Sequence, residues 1–285
     1  MRYRGRDFSE DEIRWIKDLI SNDKLLNRAQ LSRLICEELN WRRPDGRLKD
    51  MACRVALLQM ERDTWITLPC AKHQFRVLKD QVSRTDLGKP SEDLICRAGD
   101  LREIHLDLVQ SPADKRLWAE LVDRYHYLGY TPLGGAQLRY LIRSEDRVLG
   151  CLGFSAAAWK TAPRDQFIGW SATQRERSLE KVVNNARFLI LPWVKVHSLA
   201  SKALSMAARR LADDWFARYG YRPVLLETFV EKERFAGTCY KAANWLQVGQ
   251  TQGRGRYDST HQSVQPIKTI WLYPLTPNFR KELCG

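Results

Sequence analysis

The sequence predicts an α+β protein in two parts: a small helical module at the N-terminus and a larger domain whose mixed sheet is flanked by helices. Three observations predict it. Between residue 8 and about residue 70, three stretches repeat their apolar residues at helical spacing. From Ile104 onward, strict alternation and a hairpin pattern over 137–156 mark strands instead. From Arg187 to Thr251, apolar strand runs alternate with helical stretches.

The chain has 285 residues, room for one large domain or two smaller ones. Its 44% hydrophobic and 28% charged content is ordinary for a soluble globular protein. No window approaches the roughly 18 apolar residues of a membrane helix, and the segment Met1 to Arg6 lacks the apolar core of a secretory signal. A cytoplasmic protein with no membrane partner is expected. The seven cysteines are odd in number and never spaced C-x-x-C, so neither a disulfide framework nor a zinc site is supported and no metal ligand is assigned. A net charge of +13 points to a polyanionic partner, DNA or RNA first.

The module is read as residues 1–75. Ser9 and Glu12 have the spacing of a capping box, and Ile13, Ile16, Leu19 and Ile20 follow on one helical face. A second helix starts after Asn27, with Gln30 three residues on; Leu31, Leu34, Ile35 and Leu39 are its apolar face. Pro44 and the Asp45-Gly46 pair make a turn. A third helix is expected from Arg47 or Leu48 to about Arg62, with Met51, Val55, Leu58 and Met60 inward. Trp65 to Pro69 reads as a short strand. Three helices and then a strand is the order of a winged helix-turn-helix, whose third helix enters the major groove of double-stranded DNA. Arg47, Lys49 and Arg54 are the DNA contacts that follow; the plain alternative is a packing or dimerisation bundle. The first 75 residues carry 15 Lys+Arg against 12 Asp+Glu, so most of the excess lies further on and the larger domain should contact DNA as well.

Residues 76–100 lack periodicity and hold Ser83, Thr85, Gly88, Pro90 and Gly99, a linker by composition. The larger domain is read as 101–285. Ile104, Leu106 and Leu108 alternate as a strand, Pro112 sits where a helix starts, and Trp118, Leu121, Val122 and Tyr125 continue it. Gly150 and Gly153, inside the second strand of the 137–156 hairpin, signal a bulge or a close backbone approach. Gly153 to Trp159 then reads as a pocket wall, 163–170 as a loop and 171–183 as a helix. After a strand at 187–191, an amphipathic helix runs from Ser198 to Arg218. A strand over 223–230, a short helix over 237–245 and a strand over 246–251 complete the pattern.

Five phrases, Tyr125 to Gly129, Gly153 to Trp159, Asn184 to Trp193, Gly237 to Trp245 and Gly249 to Arg256, resemble those of the DruA-like proteins. The resemblance covers nearly the whole chain, the N-terminal helices included. It implies a prokaryotic source, a setting in Druantia anti-phage defence or beside transposases, action on DNA, and other defence-system or transposon proteins as partners. It implies no particular reaction. The element order over 137–251 also resembles the GCN5-related acyltransferase fold, whose two central strands splay apart beside a helix start that holds a ligand's phosphates. Tyr240 matches the position where many such enzymes keep a tyrosine that protonates a departing thiolate, a step for which a phenol's pKa of about 10 is suited. The resemblance implies acyl-coenzyme A as cofactor. Against this, Val194 to Lys202 lacks every glycine of the loop that would cradle its pyrophosphate. The cofactor stays open, with a divalent metal entering only if the reaction is strand cleavage.

Several residues carry chemistry in this reading. Tyr125, His126 and Tyr127 form a stacking platform with a base among them, or the aromatic lid of a core. Asn184 and Asn185 orient a base edge, or cap the preceding helix. His197 opens the long helix, where free N–H groups favour phosphate. Glu227 is a carboxylate inside an apolar strand, where burial would raise its pKa toward that of a general acid or base. Cys239 is a nucleophile or a buried thiol, with no sequence feature that lowers its pKa. Arg254 and Arg256, in a glycine-rich run, suit phosphate contacts. The leading function is a DNA-acting enzyme that modifies a flipped base, with Tyr240, Glu227 and His126 handling protons. The alternatives are strand cleavage or joining, and a non-catalytic DNA-binding subunit on a degenerate acyltransferase fold.

Overall fold

In the computed structural model, which describes residues 1–22, 26–43, 46–70, 82–253 and 265–285, the chain divides into two units, Met1–Lys79 and Asp80–Gly285. The first opens with a minimal hairpin, β1 (Arg2–Tyr3) and β2 (Arg6–Asp7), followed by α1 (Glu10–Asn22), α2 (Arg28–Glu38) and α3 (Asp50–Arg62). The predicted capping box at Ser9 forms, and a second one forms at Asn27. Ser9 N–H donates to Glu12 Oε2 at 3.0 Å and Glu12 N–H to Ser9 Oγ at 3.1 Å, and Asn27 and Gln30 repeat the exchange at α2.

Two expectations for this unit fail. Helix α3 starts later and is turned: Cys53, Ala56, Leu57 and Met60 are buried, while Met51 is 54% exposed. Met60 is buried and Leu58 packs on the core as expected, while the small Cys53 and Ala56 side chains complete the inner face from which Met51 is absent. Residues 65–69 form no strand; Ile66 and Leu68 instead pack into the helical core, and Leu68 N–H donates to Glu61 Oε1 at 2.9 Å. The extended pairing lies elsewhere, in an antiparallel bridge between Arg42 and Leu48 in the α2–α3 connection.

The second unit contains β3 (Leu94–Arg97), β4 (Ile104–Leu108), α4 (Pro112–Tyr125), β5 (Gln137–Ser144), β6 (Arg147–Ala156), α5 (Ala162–Ile168), α6 (Ala172–Ser178) and β7 (Val182–Ile190). It continues with β8 (Val194–His197), α7 (Leu199–Tyr219), β9 (Leu225–Glu231), α8 (Thr238–Ala242), β10 (Leu246–Gln250), β11 (Lys268–Pro274) and α9 (Phe279–Cys284). Seven strands form one mixed sheet in the order β10-β11-β9-β7-β6-β5-β4. All its pairs are antiparallel except β7–β9. That parallel pair is joined only at Val182–Leu225, Val183–Leu226 and Asn184–Glu227. Beyond these rungs the two strands splay apart, as the acyltransferase resemblance implies. Helices α4 and α7 join the larger core, with Trp118 and Trp215 fully buried, and α5 and α9 seal a second core against β9 and β11.

Three segments differ from expectation. Residues 162–168, expected as a loop, form α5 with Pro163 in its first turn. Residues 82–100, expected as a linker, belong to the second unit: the Glu120 carboxylate accepts from Thr85 N–H and Thr85 Oγ1, each at 2.7 Å, and Tyr125 Oη donates to the Gly88 carbonyl at 2.7 Å. Strand β3 pairs in parallel with β8, so half of the segment expected to be a phosphate loop is a strand. The strand glycines do mark close approach: a Cβ on Gly150 would lie 2.2 Å from the Leu189 carbonyl oxygen. No described helix is long and apolar enough to cross a membrane.

Candidate functional site

The splay opens into a cleft of about 1060 Å³ floored by β7 and β9 and walled by the end of α4 and the segment from Arg234 to Tyr240. A bulge sets its floor. Gly153 opposes Arg187 and Phe154 opposes Asn185, which leaves Ala186 as the extra residue on β7. Asn184, Asn185 and Arg187 therefore all line the cleft.

One wall is aromatic. The His126 and Tyr127 rings stack at 4.8 Å, Phe235 lies 5.4 Å from Tyr127, and the Arg234 guanidinium sits over Tyr127 at 5.4 Å. Tyr127 and Phe235 remain 37% and 50% exposed. His126 Nδ1 accepts from Leu128 N–H at 3.2 Å, so its proton sits on Nε2 and the ring offers a donor, with no lone pair left for a base. Burial and the nearby Arg187 guanidinium lower its pKa to about 4. The unfolded chain binds this proton near 6.5, so the resulting stability is complete above that value and is lost as pH falls through about 4. The His126 ring signals should titrate with a midpoint near 4 in NMR spectra. His126→Gln should flatten the acid limb of stability, whereas a midpoint near 6.5 would place the imidazole in water.

The floor is polar and buried. Tyr240 Oη donates to Asn185 Oδ1 at 2.8 Å, Thr228 Oγ1 donates to the Asn185 carbonyl at 3.0 Å, and Asn185 Nδ2 reaches the Arg187 carbonyl at 3.1 Å. Burial pushes the Tyr240 phenol up, so it stays protonated, with its proton directed at Asn185. Removing that hydroxyl orphans a buried acceptor, so Tyr240→Phe should lower stability by about 1–3 kcal/mol in urea melts. Asn184 Oδ1 and Arg187 Nε are buried without a hydrogen-bond partner among the described residues. They are an acceptor and a donor in one cleft. Arg187 is otherwise held by the Thr131 hydroxyl at 2.7 Å, and its pKa is lowered by burial. Lys268 adds a further cation.

Other predicted residues lie apart. Glu227 does not line the cleft. It is fully buried, bonded to Arg164 Nη1 at 2.9 Å and to Ala158 N–H at 2.8 Å; burial pushes its carboxyl up, while those two partners pull it down. The segment Gly153 to Trp159, expected as a pocket wall, supplies the Ala158 and Trp159 carbonyls to Arg164 instead. Tyr125 lines the cleft, but its hydroxyl is held by Gly88. His197 is exposed at the end of β8, beside the Ser198 hydroxyl at 2.9 Å. The Cys239 thiol lines the cleft and is pushed up by burial, the opposite of an activated nucleophile. Arg47, Lys49 and Arg54 belong to the first unit, where Arg54 is paired with Asp50 at 2.7 Å. Arg254 and Arg256 lie outside the described residues. Sequence reading missed Arg187, Arg234, Phe235 and Thr228. A cation opening an apolar strand run was a readable signal for the first of these, and nothing local marked the others.

The segment that would hold a coenzyme A pyrophosphate does not fit it. Residues 194–197 are paired to β3, Lys195 bonds to Asp93 at 2.6 Å, and no glycine occurs between Gly169 and Gly220 to let a phosphate approach the backbone.

Strand order and splay are those that the resemblance to the GCN5-related acyltransferase fold implies for the second unit. The chain belongs to the DruA family: residues 59–282 match Druantia protein DruA, an anti-phage defence family. The match begins inside α3, so most of the helical module expected to share the resemblance lies outside it. No curated protein matches the sequence. Among solved structures, the aminoglycoside acetyltransferase AAC(6′)-Ib in complex with coenzyme A is similar at 12% identity, over 60% of this chain and 95% of that one, with a TM-score of 0.38. An N-acetyltransferase from Staphylococcus aureus Mu50 is similar at 10% identity, over 61% and 98%, with a TM-score of 0.37. The polyamine N-acetyltransferase of Drosophila melanogaster is similar at 9% identity, over 60% and 100%, with a TM-score of 0.37.

Proposed function

We propose that this chain is a DNA-acting protein of prokaryotic anti-phage defence that takes an unstacked nucleotide into the splay cleft and modifies its base. The observation that carries this reading is the cleft wall, where a neutral imidazole, Tyr127 and Phe235 lie beside Arg187 and Arg234. Bases of any sequence stack on such rings, and the cations suit phosphate. The unpartnered Asn184 acceptor and Arg187 donor would meet the polar edge of the base, which in a duplex is occupied by its pairing partner. Double-stranded DNA is thus the expected partner, with flipping as the route in.

A second reading, a DNA-binding subunit without catalysis, is favoured by the strand pairing that replaces the phosphate loop. Cleavage is less supported: its expected carboxylate, Glu227, is held by Arg164, and no group of three metal-ligating side chains comes together among the described residues. Mass spectrometry of nucleosides from cells expressing the protein, beside Phe235→Ala and Tyr240→Phe controls, tests the first reading. A new nucleoside that vanishes in both controls supports it. An unchanged profile, with a 2-aminopurine duplex still brightened on binding, supports the second.

A further inference from the structure

The first unit carries a concave patch that the recognition-helix expectation leaves unexplained. Helix α3 is a poor reader of bases: its exposed positions are Met51 and Arg62, and Arg54 is tied to Asp50 and to the Ser32 hydroxyl at 3.3 Å. The arginines gather instead on the turn between α2 and α3. There Lys49 N–H donates to the Trp41 carbonyl at 3.0 Å and Arg43 N–H to the Arg47 carbonyl at 2.7 Å, a small hairpin closed by the Arg42–Leu48 bridge. Trp41 anchors one side in the core against Phe8. Arg42 braces the turn through Asn40 Oδ1 at 3.1 Å and the Gly46 carbonyl at 3.0 Å. Beside it is a pocket of about 520 Å³ lined by Arg33, Arg42, Arg43 and Arg47, together with Glu37 and Asp50. Arg54 offsets Asp50, so the pocket keeps a cationic balance.

Resting on the DNA reading above, we infer that this arginine hairpin, and not the face of α3, is the DNA contact of the first unit, gripping the phosphate backbone without reading sequence. Guanidiniums on a hydrogen-bonded turn are held in place before binding, and paired with phosphates they release counterions, so the contact should show in the salt dependence of affinity.

The experiment is anisotropy of the full chain with a short labelled duplex, titrated between about 50 and about 200 mM NaCl. Arg33→Gln combined with Arg43→Gln should make the log–log salt slope shallower by about 2, close to 0.9 per phosphate contact, and should weaken every duplex sequence alike. Both residues are exposed, so melting should not move. The Arg33→Lys, Arg43→Lys pair should restore the slope, which separates charge from fold. Arg62→Gln, on α3, should leave it unchanged. Wild-type binding with an unaltered slope in the Gln pair, or a loss confined to Arg62→Gln, overturns this inference and leaves the DNA reading standing. Failure of the wild-type chain to bind any duplex overturns both.

Discussion

Glu227→Ala should destabilise the second unit by about 3–5 kcal/mol, the usual result of leaving one member of a buried ion pair without its partner. The Arg164 guanidinium is fully buried. Two of its bonds go to the Ala158 and Trp159 carbonyls, and a further one goes to Asp165 at 2.8 Å. Removing Glu227 leaves that charge inside with only Asp165 opposite, and frees the Ala158 N–H as well. Urea unfolding followed by tryptophan fluorescence measures the loss. Replacing both partners together, Glu227→Leu with Arg164→Met, should recover much of it, because an apolar pair carries no desolvation penalty. A proton-transfer role for Glu227 makes a different forecast: Glu227→Gln would abolish modification while melting like wild type.

Gly150→Ala should be nearly as severe, about 3 kcal/mol, at the upper end of what overpacking costs. The added methyl would meet the Leu189 carbonyl oxygen, which is main chain and cannot rotate away. Gly150 opposes Ile190 in the β6–β7 ladder, so the strain falls on the strand that floors the cleft. Circular dichroism melts should show the lower transition. Ser144→Ala, at the turn end of the same hairpin, should behave far more mildly, since it deletes one hydrogen bond to the Arg102 carbonyl. Equal losses would mean that β6 and β7 move apart more freely than their register indicates.

How much could be read from the sequence follows from how local each cause is. The capping boxes at Ser9 and Asn27, the 137–156 hairpin and the strands around Phe188 and Leu226 rest on neighbours a few residues away, and they formed. Helix α5 was missed because its reason to exist is Arg164 reaching Glu227, 63 positions along the chain. Strands β3 and β8 are four residues each and find one another across about a hundred residues, so neither carries a pattern of its own. At the site, the Tyr125 to Tyr127 cluster and the Asn184–Asn185 pair were readable as unusual chemistry in a folded context. Their company was not: Phe235 and Arg234 arrive from the segment after β9, and no spacing rule joins them to His126. Glu227 shows the converse, a buried carboxylate whose cation, Arg164, lies too far along the sequence to be read beside it.

The three rungs that hold β7 to β9 have a consequence for how this scaffold can change over time. Beyond Asn184 and Glu227 no main-chain ladder fixes the distance between the two strands. The width of the opening there is set by side chains such as Phe188, Thr228 and Tyr240, whose sizes can be exchanged one at a time. Register, and with it the fold, is held elsewhere, by the long antiparallel ladders on either side. A lineage can therefore reshape what enters the opening without renegotiating the architecture around it.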